Sequence, residues 1–106
     1  MEKRVFGKTD MLVSVLGFGG AEIGHERAEE ATVARLLGRA LDAGLNVIDT
    51  GECYGESEEL IGKTVGDRRD EFYLFTKAGH PHGQARGANW SPDTILESLE
   101  PRLPPF

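Results

Sequence analysis

The sequence predicts an α/β protein built on a parallel sheet. Short β-favouring runs alternate with amphipathic helical stretches along most of the chain. Residues suited to capping and turning, Gly44, Ser57, Gly66 and Ser91, stand at the joints between them. The polar residues best suited to chemistry, Asp49 and Lys77, fall at the carboxyl ends of two successive strand-like runs.

Lys3 to Phe6 and Met11 to Ser14 flank Gly7-Lys8-Thr9-Asp10 and read as a hairpin. Val15 to Gly19 continues as a short apolar strand ending in glycines. A helix is expected over residues 28 to 43. There Val33, Leu36, Leu37, Ala40 and Leu41 make one apolar stripe at i, i+3, i+4, i+7 and i+8. Gly44 sits where a C-terminal cap belongs. Leu45 to Ile48 follows as a buried-type strand, ending at Asp49.

A second helix is expected from Ser57, whose hydroxyl can cap free N–H groups. Glu58 and Glu59 suit the positive end of its dipole. Leu60, Ile61 and Val65 supply its apolar side, and Gly66 ends it. Glu71 to Thr76 reads as a third strand, with Lys77 at its end, and residues 79 to 90 as a polar, glycine-rich loop. Ser91-Pro92-Asp93 opens a third helix, with serine as cap and proline in the first turn; Pro101 stops it. The order is a hairpin and then β-α-β-α-β-α, which implies parallel strands joined by right-handed crossovers. No repeat, linker or low-complexity stretch interrupts it.

The totals narrow the function classes. A chain of 106 residues is enough for one small domain or part of one. Twelve basic residues against eighteen acidic ones give a net charge of −6, which argues against a nucleic-acid partner, since phosphate binding wants a basic face. Cys53 is the single cysteine, so no intrachain disulfide is possible and a reducing compartment is expected. No apolar run approaches the roughly 18 residues of a membrane span, and Met1-Glu2-Lys3-Arg4 does not open a signal peptide. The expected location is the cytoplasm.

Ligands of α/β proteins bind at the carboxyl ends of parallel strands. Sequential strands usually pair at ~4.8 Å, so side chains at their ends can meet. Asp49, Lys77 and Tyr54, five residues past Asp49, therefore converge on one edge. A free tyrosine titrates near ~10 and is a poor acid or base at neutral pH. A lysine ~4 Å away favours the phenolate by up to about 4 kcal/mol at an effective dielectric of ~20. Asp49 would hold Lys77 charged and oriented, leaving a tyrosine able to protonate a carbonyl oxygen. On spacing alone, a plain Asp49–Lys77 ion pair and a loop aromatic covering the sheet end read equally well.

Asp49-Thr50-Gly51-Glu52-Cys53-Tyr54-Gly55 resembles the D-T-A-x-x-Y-G segment of the aldo-keto reductases. Ser57-Glu58-Glu59-Leu60-Ile61-Gly62 is similar to their S-E-x-x-[LI]-G continuation, and Thr76-Lys77 to their strand-end T-K. Arg4 to Gly19 resembles their opening hairpin and first strand. The resemblance covers about residues 3 to 100. It implies a partial (β/α)8 TIM barrel: the N-terminal hairpin plus about three βα units. It implies NADPH as cofactor and a small aldehyde or ketone as substrate, with Tyr54 as general acid and Asp49 and Lys77 tuning it. Gly19, Gly20 and Asp49 would border the cofactor, and Tyr54 and Trp90 the substrate. Trp90 reads equally well as a cover for the barrel end.

Three features depart from the family pattern. Gly51 replaces the usual alanine. His80 and His82 do not match the catalytic histidine at the end of the fourth strand. The sequence after Glu100 departs where a helix would continue. Residues 1–106 are accordingly expected to be a truncated N-terminal portion of the domain, inactive alone, which self-associates or pairs with a C-terminal half. A non-catalytic binding or regulatory module on the same fold is the alternative, and a hydrolase using Asp49 as base a more distant one. No metal site is expected, because His80, His82 and Cys53 match no standard zinc spacing. Gly17-Phe18-Gly19-Gly20 fails the G-x-G-x-x-G phosphate pattern at Glu22 and reads as barrel-rim glycines. His25 is expected in a solvated loop, within an acidic helix entry at residues 22 to 30.

Overall fold

The computed structural model describes residues 1–80 and 88–100. The chain opens with a hairpin of β1 (Lys3–Val5) and β2 (Leu12–Ser14), antiparallel, with Lys3 opposite Ser14. The parallel sheet follows, in the order β3 (Phe18–Gly19), β4 (Val47–Asp49) and β5 (Tyr73–Phe75). Between the strands run α1 (Ala21–His25), α2 (Glu30–Asp42) and α3 (Ser57–Val65), and α4 (Pro92–Leu99) follows β5. This is the expected α/β order, in the form of a partial barrel that does not close.

Register explains how the layers form. Phe18 pairs with Ile48 and Ile48 with Leu74, whereas Gly19, Asp49 and Phe75 make the next row. Successive strand residues face opposite sides. The Phe18–Ile48–Leu74 row therefore turns toward the helices. There Ile48 joins Val33, Leu37, Leu41, Leu60, Ile61, Val65 and Phe72 in the core, with Phe18 and Leu74 packed against it. Val33, Leu37 and Ile48 are fully buried.

The end of α2 follows the expectation closely. The N–H of Gly44 bonds the carbonyl of Leu41, and that of Leu45 the carbonyl of Ala40. This reciprocal pair is the Schellman pattern, with Gly44 at φ +96° supplying the left-handed residue. Arg68 then ties the 3-10 turn Gly66–Glu71 back to α2, through Asp42 at 2.9 Å and the carbonyl of Gly38 at 3.3 Å, and bonds Glu71 within the turn at 2.7 Å. Both carboxylates hold the Arg68 guanidinium well above its ordinary range, the Glu71 bond most of all. At the other end of the sheet, Asn46 accepts from the Ser14 N–H at 2.7 Å and donates to the Leu12 carbonyl at 2.8 Å, fastening the hairpin to the entry of β4.

Several expectations are corrected. The strand expected over Val15 to Gly19 shrinks to Phe18–Gly19: Val15 and Leu16 are exposed, and the Val15 N–H is turned to the Glu2 carbonyl at 3.0 Å, beside the hairpin. Leu36 is also exposed: the stripe that packs is centred on Val33, Leu37 and Leu41, and Leu36 lies on its flank. Residues 22 to 30 are not a single entry to α2. They contain a separate short helix, α1, which ends at His25. Ser57 does not cap α3. It is the first helical residue, after Glu56, and its hydroxyl lies 2.8 Å from that of Thr50. Gly66 closes α3 but passes directly into the 3-10 turn, so Glu71 belongs to that turn and not to β5. Ser91 caps α4 as expected, accepting from the Thr94 N–H, with Pro92 in the first turn. Pro101 and His82 lie outside the described residues. No helix among the described residues is long and apolar enough to cross a membrane.

Candidate active site

Strand parity assembles the site. Asp49 ends β4 in the row facing away from the helices, opposite Phe75. Lys77 lies two residues beyond Phe75, so continuing alternation brings it to the same side. The two side chains form an ion pair between Lys77 Nζ and Asp49 Oδ1, each half exposed. Lys77 Nζ also donates to the carbonyl of Thr50 at 2.8 Å. The same ammonium stands 5.0 Å from the centroid of the Tyr54 ring. The Asp49 hydrogen bond raises the Lys77 pKa above its ordinary value; partial burial opposes the rise and Tyr54 adds to it. The three residues singled out from the sequence are thus in contact, with a lysine held charged against the tyrosine.

Tyr54 is positioned by a tight loop. Its N–H bonds the carbonyl of Gly51 at 3.1 Å, and its own carbonyl accepts from Ser57 at 3.1 Å. A β-carbon on Gly51 would lie 3.2 Å from the Tyr54 ring, so the glycine lets that ring settle closer than the family's alanine would. A β-carbon on Gly24 would lie 1.7 Å from the Tyr54 carbonyl oxygen. Helix α1 can press on this loop only because residue 24 has no side chain.

That contact brings in a residue sequence reasoning placed elsewhere. His25, expected in a solvated loop, packs its ring edge-on to Tyr54, with centroids 5.6 Å apart and planes at 67°. Twenty-nine residues separate the two in sequence, and no local pattern announces the pairing. An open cleft of about 670 Å³ lies beyond, lined by Gly24, His25, Arg27, Gly55 and Glu56, and none of Asp49, Tyr54 or Lys77 lines it.

The remaining candidates are less central. Gly20 is buried where β3 meets β4, donating its N–H to the Asp49 carbonyl at 2.7 Å. Gly19 is exposed, and a β-carbon there would meet nothing within 4 Å. Trp90 is exposed and stacks on His80, with centroids 5.1 Å apart and planes at 13°. Among the described residues no group of three or more His, Cys, Asp or Glu could hold a metal ion.

The chain is similar to known proteins over most of its length. It is 33% identical over 108 residues to the uncharacterized oxidoreductase YqkF of Bacillus subtilis, covering 97% of this chain and 34% of that protein. It is 30% identical over 111 residues to L-galactose dehydrogenase of Arabidopsis thaliana, with the same coverages of 97% and 34%. Among solved structures, it matches the holo form of the aldo-keto reductase AKR11C1 from Bacillus halodurans with a TM-score of 0.77 and 33% identity, covering 93% of this chain and 34% of that one. The chain spans about a third of the length of these relatives. The family model described as Aldo/keto reductase family matches residues 15–104, and the chain belongs to that family.

Proposed function

We propose that Asp49, Tyr54 and Lys77 are catalytic residues of an NADPH-dependent reduction of a small aldehyde or ketone to an alcohol. The observation that carries this reading is the Lys77 ammonium, fixed by Asp49 and the Thr50 carbonyl and set 5.0 Å from the Tyr54 ring centroid. A cation held there favours developing negative charge on the phenol. Tyr54 would give its proton to the carbonyl oxygen and be reprotonated from solvent. Asp49 would keep Lys77 charged and aimed.

The described residues fit one end of the cofactor. Open space above Gly19, beside the Asp49 carboxylate, leaves room for a flat ring at the strand ends. NADPH, when bound, supplies the hydride. Gly19, Gly20 and Asp49 would border it, and Trp90 would flank the substrate from the loop after β5. We place residues 1–106 in the N-terminal portion of such a domain. The exposed Val5, Phe6, Leu12, Val15, Leu16, Leu96 and Leu99 support self-association or pairing with the rest of a barrel.

A chimera tests the reading. Residues 1–100 would replace the matching N-terminal third of an active aldo-keto reductase. NADPH-dependent aldehyde reduction that disappears in Tyr54→Phe and Lys77→Met supports it; equal turnover in those variants rejects it. The 106-residue chain alone is expected to oxidise NADPH with an aldehyde no faster than its Lys77→Met variant.

A further inference from the structure

One carboxylate near the site is engaged in a way its sequence position does not suggest. Glu52 lies on the loop between Asp49 and Tyr54, where an acidic side chain would ordinarily face water. Instead its Oε1 accepts from the N–H of Gly79 at 2.9 Å and from the N–H of His80 at 3.1 Å. The Ser98 hydroxyl lies 2.8 Å from the same oxygen and 2.9 Å from the Thr94 carbonyl, and its single hydrogen can serve one of them. The Glu52 N–H also points to the Lys77 carbonyl, at 3.4 Å.

Two consecutive N–H groups turned to one side form a small anion-binding concavity. Here Gly79, at φ +101°, provides the turn, and the anion is supplied from within the chain. The β4–α3 loop, the segment after β5 and α4 thus meet at a single oxygen. On the other side of Lys77, Thr76 bonds Glu58 at the start of α3. The backbone is therefore fastened both before and after the lysine.

We propose that Glu52 is a positioning residue, clamping residues 77–80 to the Asp49–Tyr54 loop so that the Lys77 ammonium stays against Tyr54. This rests on the reductase reading for its purpose, but the clamp can be measured without turnover. A half-exposed ion pair on a long flexible stem contributes little by itself and does not fix its own geometry. Hydrogen bonds from backbone N–H groups to a charged acceptor are among the stronger ones available. Glu52 supplies that rigidity from the same loop that carries Tyr54.

The test labels the side chains of the four lysines for nuclear magnetic resonance in the 106-residue chain and assigns Lys77 by its loss in Lys77→Met. In Glu52→Ala, amide exchange at Gly79 and His80 is expected to accelerate at least about tenfold, and the Lys77 titration to move down toward the ordinary lysine range. Glu52→Gln keeps an acceptor oxygen and is expected to restore most of both. Should Glu52→Ala not fold, Glu52→Asp decides, since it keeps the charge but shortens the arm by one methylene. An unchanged Lys77 titration in a folded variant whose Gly79 and His80 amides are freed overturns the proposal. In the chimera, Glu52→Ala should lower kcat more than it changes KM. Absent turnover in the unsubstituted chimera, with Lys77 still responding to Glu52, would count against the reductase reading and not against the clamp.

Discussion

The two faces of the three-stranded sheet are built on different terms. Toward the helices, Ile48 is fully buried and shares the core with Leu37 and Val33. On the other face, Val47, Asp49, Tyr73 and Phe75 are all only half-buried. Phe75 meets the ring of Phe6 from the hairpin there, at 5.9 Å. The helix-facing side is held by apolar area removed from water, which is additive and tolerant of detail. The strand-end side is held by a few polar contacts among Asp49, Thr50, Glu52, Lys77 and Gly79, each dependent on geometry. Apolar packing and the proposed site thus occupy opposite faces of the same strands.

Substitutions can sharpen or break that division. Leu37→Ala, on the closed face, should cost about 2–5 kcal/mol in urea unfolding, as expected for a cavity in a packed core. A loss below about 1 kcal/mol would mean that the helix-facing core is not what holds the chain together. Gly24→Ala should cost about 1–3 kcal/mol by overpacking, because its methyl group meets the Tyr54 carbonyl. It should also abolish the edge contact between His25 and Tyr54, visible as a shift of the His25 ring signals.

Lys77→Met should change stability by less than about 1 kcal/mol, since both charges of its ion pair are half exposed. In the chimera the same substitution should reduce turnover by at least about a hundredfold. The pH dependence of its small stability term has a definite sign. The folded chain raises the Lys77 pKa above its ordinary 10.5, so the term is complete below that pH. It is lost as pH rises through the folded value. The stability difference between wild type and Lys77→Met should be flat from pH 7 to 9 and shrink above 10.5. A difference that grows above that pH would contradict it.

The smallest effect belongs to Gly51→Ala, which restores the family's usual residue. A β-carbon there sits 3.2–3.4 Å from the Tyr54 ring, so the ring should move by a few tenths of an ångström without loss of fold. Unfolding should stay within about 0.5 kcal/mol of wild type. A larger loss would show that the loop, and not only the core, is tightly packed.

Much of this architecture was legible in the chain because it is local. The stripe of Val33, Leu37 and Leu41, the Gly44 cap and the Ser91-Pro92 helix start each depend on residues within two turns of one another. Asp49, Tyr54 and Lys77 were also legible, since consecutive parallel strands place their ends together. The misreadings concern residues whose neighbours are distant. Ser57 looked like a cap, yet its hydroxyl is taken by Thr50. Leu36 fits the helical period, yet it is exposed on the flank of the stripe that packs.

By itself, then, the sequence determined the alternation of strands with the three longer helices, the polar residues at the strand ends and the likeness to a carbonyl-reducing family. Tertiary structure alone decided that His25 would lie against Tyr54 and that Gly24 would allow it. It also decided that Glu52 would bind two backbone N–H groups nearly thirty residues away. The reason is physical. Periodicity and capping are encoded over a few residues, whereas the partner of a loop side chain depends on how separate elements pack.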